Sequence, residues 1–335
     1  MRYNLLVVTD HTSHSPTNSL YELALALHGD RRNKNVWVCS RGLSANSHFF
    51  KSQPGAEVYA TEVKKNFAFD PAGTFLQNNL VKIPLEEVHV ILIRMPQPLD
   101  KSFLLSLQNI VPKGKIINDP AGTIETSSKE FLLSIAHLCP SPQMCSGIED
   151  AIELSHLHEI VLKPLYSYGG IGILRLSPRY FWRGSHRFDA EEIHNVLPGD
   201  HFPMLAMRYL PNVSFGDKRT IVVNRKILGS ALRMPPPDSW ICNVAQGGHA
   251  LIAQADEEEL KIESELTPLL YEKGVIMYGF DTLVDDNGLR VLSEINTLSI
   301  GGMGPIEELS GRPIMKQAAS LLWDYVVDGH FGPAQ

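Results

Sequence analysis

Apolar runs and helix-like patterns alternate along the first 122 residues of the chain. Nearly continuous apolar runs are typical of central parallel strands that are buried on both faces. The strands predicted in this way are 3–9, 35–39, 88–94 and 115–118, and the predicted helices are 19–28 and 100–109. This order predicts a Rossmann-like unit, in which ligands bind at the carboxyl ends of the strands.

After residue 122 the pattern changes to shorter strands, several of them paired across tight turns. Asn224-Arg225 is expected to join two strands of one hairpin, and residues 285–288 (Asp-Asp-Asn-Gly) to join those of a second. The other predicted strands are 159–163, 173–176 and 205–210, and the predicted helices are 123–137, 147–155, 190–196, 257–273 and 318–326. Residues 233–248 form a long loop, of a length that is often functional.

Composition and charge narrow the possible functions. The chain has 335 residues, of which 44% are hydrophobic and 20% charged, as in globular proteins. Its formal net charge of -7 provides no basic footprint, so nucleic acid is excluded as the main partner. Four cysteines without a Cys-x-x-Cys pair indicate a reduced setting. Because neither a signal peptide nor a long apolar run is found, a cytoplasmic location without a membrane partner is expected.

A glycine-rich loop follows the strand predicted at 159–163. Lys163 stands at the strand end, and Gly169, Gly170 and Gly172 allow the backbone to approach a ligand closely and turn N–H groups towards an anion. The loop matches neither a P-loop nor a dinucleotide fingerprint. We interpret it as a clamp for a nucleotide triphosphate; the alternative is a plain hairpin turn.

The C-terminal hairpin carries a candidate metal site. Glu294 and Asn296 are two residues apart on one strand and therefore point to the same face, and Asp281 lies on the opposite arm. Two carboxylates and an amide oxygen suit Mg²⁺ that holds substrate phosphates. The alternative is a polar, solvent-facing side of the hairpin.

Two arginines are expected at one end of the preceding hairpin. Arg219 begins one strand and Arg233 ends the other, so both guanidiniums can bind a phosphoryl group or a carboxylate. Asp217 could accept a hydrogen bond from a ribose hydroxyl. The alternative is a charged turn at a sheet edge.

Arg94 and Asp10 follow predicted strands of the first unit, at the ends where ligands bind, although either could be an ordinary surface residue. Together with the glycine loop and the metal set, these residues indicate phosphoryl transfer.

The chain resembles the ATP-grasp superfamily, and within it the bacterial glutathione synthetases. The resemblance is carried, in the family's order, by Ile91-Leu92-Ile93-Arg94, Ile117-Asn118-Asp119-Pro120, Lys129-Glu130, Val161-Leu162-Lys163-Pro164-Leu165 with Gly169-Gly170, Tyr209-Leu210-Pro211, Gly216-Asp217-Lys218-Arg219, Arg233-Met234-Pro235, Asn243 with Gly247-Gly248, Gly279-Phe280-Asp281 and Glu294-Ile295-Asn296. It implies an α/β fold in which a Rossmann-like N-terminal (pre-ATP-grasp) domain precedes a two-lobed ATP-grasp fold. The implied ranges are 1–122 for the first domain, 123–204 for the small lobe or lid, and 205–335 for the large lobe.

The resemblance implies an ATP-dependent carboxylate–amine ligase that forms an amide through an acyl phosphate, with γ-glutamylcysteine and glycine as substrates. ATP is expected to contact Lys129, Lys163, Tyr168, Gly169, Gly170, Tyr209, Leu210 and Asp217. Magnesium, as two ions or replaced by Mn²⁺, is expected on Asp281, Glu294 and Asn296. Arg219 and Arg233 are expected to stabilise charge during catalysis, and Arg94, Asn243, Gly301 and Gly302 to contact substrate. Partners are expected to be small molecules, and the assembly a homo-oligomer.

Two segments depart from the glutathione synthetase pattern. Trp240-Ile241-Cys242 stand where those enzymes carry an arginine in the long substrate loop. After Asn296, residues 297–304 begin Thr-Leu, as in D-alanine–D-alanine ligases. The alternatives are therefore a D-alanine ligase-like enzyme for another amino acid or dipeptide, and an ATP-binding module without turnover.

Overall fold

Three β-sheets organise the chain. The structure is a computed structural model that describes residues 2–51, 55–110, 116–197, 199–243 and 247–328. Two of the sheets have six strands and the third has five. Within the described ranges no helix is long and apolar enough to cross a membrane. The four cysteines all fall within these ranges, and each has a free thiol.

The first sheet is the Rossmann-like unit that the alternating pattern predicts. Its elements are β1 (Tyr3–Thr9), α1 (Leu20–His28), β2 (Asn33–Ser40), β3 (Glu57–Glu62), α2 (Thr74–Gln77), β4 (Leu80–Pro84), β5 (Val90–Arg94), α3 (Lys101–Ile110) and β6 (Ile116–Ile117). The strand order is β4-β3-β2-β1-β5-β6. Strands β2, β1, β5 and β6 run parallel to one another. Thr9 pairs with Arg94, so the carboxyl ends of β1 and β5 lie side by side.

The second sheet is antiparallel and contains the strand of the glycine loop. It follows α4 (Pro120–Thr126) and a 3-10 helix, Lys129–Leu138. Its elements are β7 (Gln143–Cys145), α5 (Ile148–Leu157), β8 (Ile160–Pro164), β9 (Leu174–Leu176), β10 (Tyr180–Arg183), β11 (His186–Asp189), α6 (Ile193–Val196) and β12 (Met204–Arg208). The strand order is β11-β10-β9-β8-β12-β7.

The third sheet contains both hairpins predicted from the turn residues. Its elements are β13 (Asp217–Val223), β14 (Lys226–Met234), β15 (His249–Ala253), α7 (Glu257–Glu272), β16 (Met277–Val284), β17 (Arg290–Asn296), α8 (Met303–Ser310) and α9 (Ile314–Val327). The strand order is β15-β14-β13-β16-β17. Asn224 and Arg225 both have positive φ (45° and 63°), as expected of a tight turn whose backbone twist matches the strands.

Helix α9 joins the third sheet to the first. Its buried Trp323 belongs to one apolar cluster that contains residues of β1, α1 and β5 as well as residues of β13 and β16. The indole N–H of Trp323 donates to the carbonyl of Leu27 at 3.2 Å, and Arg32 forms an ion pair with Asp324. The second sheet has a cluster of its own, built from residues such as Ile160, Leu162 and Phe181.

The structure corrects the expected local structure at several points. The helix predicted at 123–137 is broken, because Ser128 leaves the helical conformation and its hydroxyl accepts from the backbone N–H of Glu130. Apolar spacing did not predict α2, β3, β4, β7, β10, β11, β15 or α8, and in β15 the side chains of Leu251 and Ile252 are exposed. Lys115, in the strand predicted at 115–118, and residues 244–246, in the loop predicted at 233–248, lie outside the described residues. The strand Met204–Arg208 pairs within the second sheet. The domain boundaries at residues 122 and 204 stay predictions.

Candidate active site

One face of the third sheet carries charged side chains in neighbouring register positions. Asp217 lies opposite Arg233, and Arg219 lies opposite Asp281. Asp281 in turn lies opposite Glu294 on β17. Opposed residues project to the same face of a sheet, so the five side chains form one group. The register thus places Asp281 across from Glu294, as the turn residues suggested.

Asp281 is the centre of this charged group. Its carboxylate accepts from Nε and Nη2 of Arg219 at 2.7 and 2.6 Å, and from Nη2 of Arg233 at 2.8 Å. Burial acts to raise the pKa of Asp281, but the two guanidiniums outweigh it and hold that pKa well below its usual range. Three of roughly four lone-pair positions on the carboxylate are therefore used within the protein.

Arg233 bridges Asp281 and Asp217. Its Nε and Nη2 donate to the two carboxylate oxygens of Asp217 at 2.5 Å each. Burial alone would lower the pKa of Arg233, but Asp281 and Asp217 together raise it. Asp217, predicted to contact a ribose hydroxyl, is thus bound to a guanidinium in the structure.

The other two predicted metal ligands face a cavity. Glu294 lies 3.4 Å from Nζ of Lys129, measured from Oε1. The buried amide nitrogen of Asn296 has no hydrogen-bond partner among the described residues. In the described part of the chain, no three His, Cys, Asp or Glu side chains surround a common point. The carboxylate of Glu294 and the amide oxygen of Asn296 are nevertheless oxygen donors of the kind that a hard divalent cation binds, and such an ion would complete its shell with phosphate oxygens and water.

Two buried lysines reach the same region from outside the third sheet. Nζ of Lys163 donates to the carbonyl of Ser293 at 2.9 Å, and burial lowers the pKa of this lysine. Nζ of Lys129 donates to the carbonyl of Ser167 in the glycine loop. Both ammonium groups thus lie beside β17, where the candidate metal ligands are.

The glycine loop, residues 165–173, is covered by the substrate loop, which we define as residues 235–243. Gly169, Gly170 and Gly172 all have positive φ. At Gly170 a Cβ atom would lie 3.0 Å from both Asn243 Oδ1 and Ile241 Cγ2, so close packing as well as φ favours glycine here. Asn243 therefore lies directly against the glycine loop.

Two adjoining cavities contain most of the predicted site residues. The first, of about 670 Å³, is lined by the predicted residues Arg94, Lys129, Tyr168, Gly169, Arg219, Arg233, Asn243, Glu294, Asn296, Gly301 and Gly302. The second, of about 80 Å³, is lined by Lys163, Tyr209, Leu210, Asp217, Asn243 and Glu294. Asn243 and Glu294 line both cavities. Gly170 and Asp281 are not among the lining residues, and Asp10 instead pairs with Arg41 at 2.8 Å.

Arg94 is a buried cation that lines the first cavity. Its Nη2 donates to Ser19 Oγ at 3.1 Å and to the carbonyl of Ile300 at 3.0 Å. Its Nε and Nη1 have no hydrogen-bond partner among the described residues. Burial lowers the pKa of Arg94 to about 10, so the group stays charged at neutral pH.

One wall of the first cavity is polar and was not predicted from the sequence. Residues after β1, among them Ser13, His14, Asn18 and Ser19, line it. His14 is held by Thr9 Oγ1 and by the hydroxyl of Tyr21, each at 3.0 Å. The sequence feature that could have revealed this wall is the polar loop after β1, because such folds bind ligands at the carboxyl ends of their central strands.

The sequence matches a known family over the two later sheets. A family model described as "Prokaryotic glutathione synthetase, ATP-grasp domain" matches residues 129–311, more than half of the chain. The chain belongs to this family. It is therefore an ATP-dependent, ADP-forming ligase of the glutathione synthetase type, as the resemblance implied.

Curated relatives extend this similarity over nearly the whole chain. The glutathione synthetase of Prochlorococcus marinus subsp. pastoris is 28% identical, over 90% of this chain and 93% of the relative. That of Mesorhizobium japonicum is also 28% identical, over 97% of this chain and 98% of the relative.

Solved structures support the fold. A D-cycloserine synthetase superposes with a TM-score of 0.64 at 11% identity, covering 96% of this chain and 99% of that one. A RiPP-associated ATP-grasp ligase from Chryseobacterium gregarium has a TM-score of 0.61 at 14% identity, covering 97% of both chains. These similarities bear out the two-lobed ATP-grasp fold behind a Rossmann-like domain.

Proposed function

We propose that the protein joins γ-glutamylcysteine to glycine with ATP, forming an acyl phosphate first. The observation that carries this proposal is the meeting of the two cavities at Glu294 and Asn243, which line both. A nucleotide in the smaller cavity would then direct its phosphates towards an acid in the larger one. Two curated relatives that match at least 90% of this chain are named glutathione synthetases, which supports the choice of substrates.

The proposed reaction has two steps. A carboxylate oxygen of the acid attacks the γ-phosphorus of ATP, which releases ADP and leaves an acyl phosphate. The amine nitrogen then attacks the acyl carbon, phosphate leaves, and the nitrogen loses a proton. Because both steps develop negative charge on oxygen, preorganised cations at that point lower the barrier.

The lysines and the glycine loop are proposed to hold the nucleotide. Lys163 lies in the smaller cavity with Tyr209 and Leu210, where an adenine base would contact the strand end after β12. Lys129 lies between the glycine loop and Glu294, in reach of the phosphates. Asp217 also lines the smaller cavity, and we therefore assign it to the ribose. Its charge is balanced by Arg233.

Glu294 and Asn296, with Asp281 behind them, are proposed to hold Mg²⁺. A bound Mg²⁺ would supply positive charge that offsets the negative charge of the phosphates during transfer. Two ions, and replacement by Mn²⁺, are part of the proposal. Arg219 pairs with Asp281 through Nε and Nη2, and we assign its Nη1 to the transferring phosphoryl group.

Arg94 is proposed to bind a second carboxylate of the acid. It is a buried guanidinium with two donor atoms lacking a partner among the described residues, which is costly until an anion arrives. The first turn of α8 follows Gly302 beside it and offers backbone N–H groups that have no intrahelical partner. Both features favour an acid with a negative charge remote from the reacting carboxylate.

A ligase for a different acid and amine is the second candidate. Trp240, Ile241 and Cys242 of the substrate loop lead into Asn243, which lines the larger cavity proposed for the acid, and none of the three carries a charge. This observation favours another amino acid or a dipeptide over γ-glutamylcysteine, and leaves the fold and the chemistry unchanged.

ADP release measured with Mg²⁺ and ATP across an array of acids and amines tests the proposal. We expect the highest rate with γ-glutamylcysteine and glycine, and a product with the mass of glutathione. A higher rate with another pair would replace the proposed substrates by that pair. Release no faster with any pair than with ATP alone would contradict the proposal.

The variant Arg94→Met tests the acid-binding end. We expect a KM for the acid about 10- to 100-fold higher, because a charge-assisted bidentate contact is lost. Arg41→Met is the matched control, since Arg41 follows β2 at the same sheet edge but pairs with Asp10 outside the cavity. An equal effect in both variants would remove Arg94 from the substrate site.

The expected homo-oligomer and the cytoplasmic location complete the proposal. Light scattering of the purified protein measures its mass against 37.3 kDa for one chain. A mass equal to one chain across the working concentration range would reject the homo-oligomer.

A further inference from the structure

Four aromatic and cationic side chains form a column beside the smaller cavity. The guanidinium of Arg175 lies 3.7 Å from the ring centroid of Tyr209 and 4.4 Å from that of Trp182. The rings of Trp240 and Tyr209 meet edge to face, with centroids 6.3 Å apart at 81°. Glu159 fixes the guanidinium through two hydrogen bonds, of 2.8 and 3.0 Å. The column therefore links the second sheet to the substrate loop.

Trp240 also has a polar contact with the second sheet. Its indole N–H donates to the carbonyl of Gly184 at 2.9 Å. Gly184 lies in the turn between β10 and β11, so this bond crosses from the substrate loop to the outer hairpin of the second sheet. Trp240 is half-buried, and its two contacts fix both the position and the rotation of the indole ring.

The residues after Trp240 form walls of the site. Ile241 and Cys242 line the smaller cavity, and Asn243 lines both cavities. Ile241 and Asn243 also press on Gly170 of the glycine loop. The position of Trp240 thus determines where the substrate loop lies over the smaller cavity and the glycine loop.

We infer that Trp240 is a positioning residue that fastens the substrate loop to the second sheet and so couples nucleotide binding to closure over the acyl phosphate. The inference rests on the proposed function in taking the smaller cavity as the nucleotide site. Trp240 joins the loop to the second sheet through an aromatic contact and a hydrogen bond, and no charged side chain stands at 240–242. A nucleotide base beside Tyr209 stabilises the ring that Trp240 packs against, and the fastened loop keeps water from the intermediate.

The variants Trp240→Phe and Trp240→Ala separate the two contacts. Phenylalanine keeps the ring against Tyr209 and removes the N–H donor, whereas alanine removes both. Trp182→Phe is the matched control, because Trp182 packs on the same guanidinium but belongs to β10 of the second sheet. The first readout is the dissociation constant of a non-hydrolysable ATP analogue with Mg²⁺, which needs neither acid nor amine. We expect about fivefold weaker binding for Trp240→Phe, as for one lost hydrogen bond, and a larger loss for Trp240→Ala.

The second readout is the ratio of phosphate released to amide formed, measured with whichever acid and amine give turnover. We expect this ratio to rise in both Trp240 variants and to stay at the wild-type value in Trp182→Phe, with melting temperatures unchanged. Unchanged binding and an unchanged ratio in Trp240→Ala would overturn the inference. An equal loss in Trp182→Phe would also overturn it, because the effect would then come from general loosening of the second sheet. If the unmutated protein bound the ATP analogue but turned over no pair of acid and amine, this would count against the proposed function and not against the role of Trp240 in nucleotide binding.

Discussion

Replacing Asp281 by asparagine removes the charge at the centre of the charged group and keeps its shape. Asp281 is 1% exposed and accepts three hydrogen bonds from two arginines. In the variant, Arg233 keeps both bonds to Asp217, whereas Arg219 loses its carboxylate partner. The perturbation therefore leaves one partly buried guanidinium without a counter-charge.

The expected loss of stability follows from this imbalance. Removing one partner of a buried ion pair costs about 3–5 kcal/mol. Because asparagine retains one acceptor oxygen for Arg219, we expect a value near the lower end, about 3 kcal/mol. Arg219 and Arg233 hold the pKa of Asp281 far below its usual range against burial, which acts to raise it. The stabilisation that the ionised Asp281 provides is therefore fully present at neutral pH and is lost only in strong acid, as the carboxylate takes up its proton.

Urea unfolding followed by circular dichroism measures this loss. The matched control is Asp256→Asn, because the side chain of Asp256 is 39% exposed and its partner Lys218 keeps Glu259 at 2.7 Å. We expect the control to lose less than about 1 kcal/mol, because the carboxylate removed is partly exposed and Lys218 keeps a second carboxylate partner. If Asp281→Asn lost no more than the control, the group would not be the buried counter-charge system that its geometry indicates.

Three further predictions concern the site and its surroundings. Glu294→Gln should lower turnover at least about 100-fold while leaving the melting temperature unchanged; near-normal turnover would remove Glu294 from the metal site. Lys163→Met should weaken binding of an ATP analogue about tenfold in calorimetry, since a charged donor is lost; unchanged affinity would make the glycine loop a plain hairpin. Burial, with smaller effects from His11 and Arg94, lowers the pKa of His14 to about 4. The unfolded chain therefore binds the proton first, and the free energy of unfolding should fall by up to about 3 kcal/mol as pH drops from 6.5 to 4. His14→Gln should reduce that fall, and parallel pH curves would contradict the assignment.

Patterns local in sequence predicted the strands and turns that build the site. Continuous apolar runs located β1, β2 and β5, because strands buried on both faces need them. The Asp-Asp-Asn-Gly turn located the hairpin that sets Asp281 opposite Glu294. Edge strands such as β15 were missed, because their exposed positions need no regular apolar spacing.

Contacts between distant segments could not be predicted in the same way. The pairing of Arg219 with Asp281 depends on β13 lying beside β16, which no local pattern specifies. The bond from Trp240 to Gly184 joins segments 56 residues apart. Arg94 was predicted as a substrate-binding candidate from its place at a strand end. Its unpartnered donors follow from its burial beneath Ile300, and only the folded chain shows this burial.

The shared core under α9 bears on how this ligase could be recombined with others. Trp323 is fully buried, donates to Leu27 and lies 6.1 Å from the ring of Tyr3, so the last helix completes the first unit. A chimaera that exchanged residues 1–122 alone would present Trp323 to a foreign surface and leave a cavity, which in cores costs several kcal/mol. Grafting α9 together with the first unit preserves the interface. Swapped enzymes should therefore fold when the two segments travel as a pair, and a stable graft of 1–122 alone would show that the interface is dispensable.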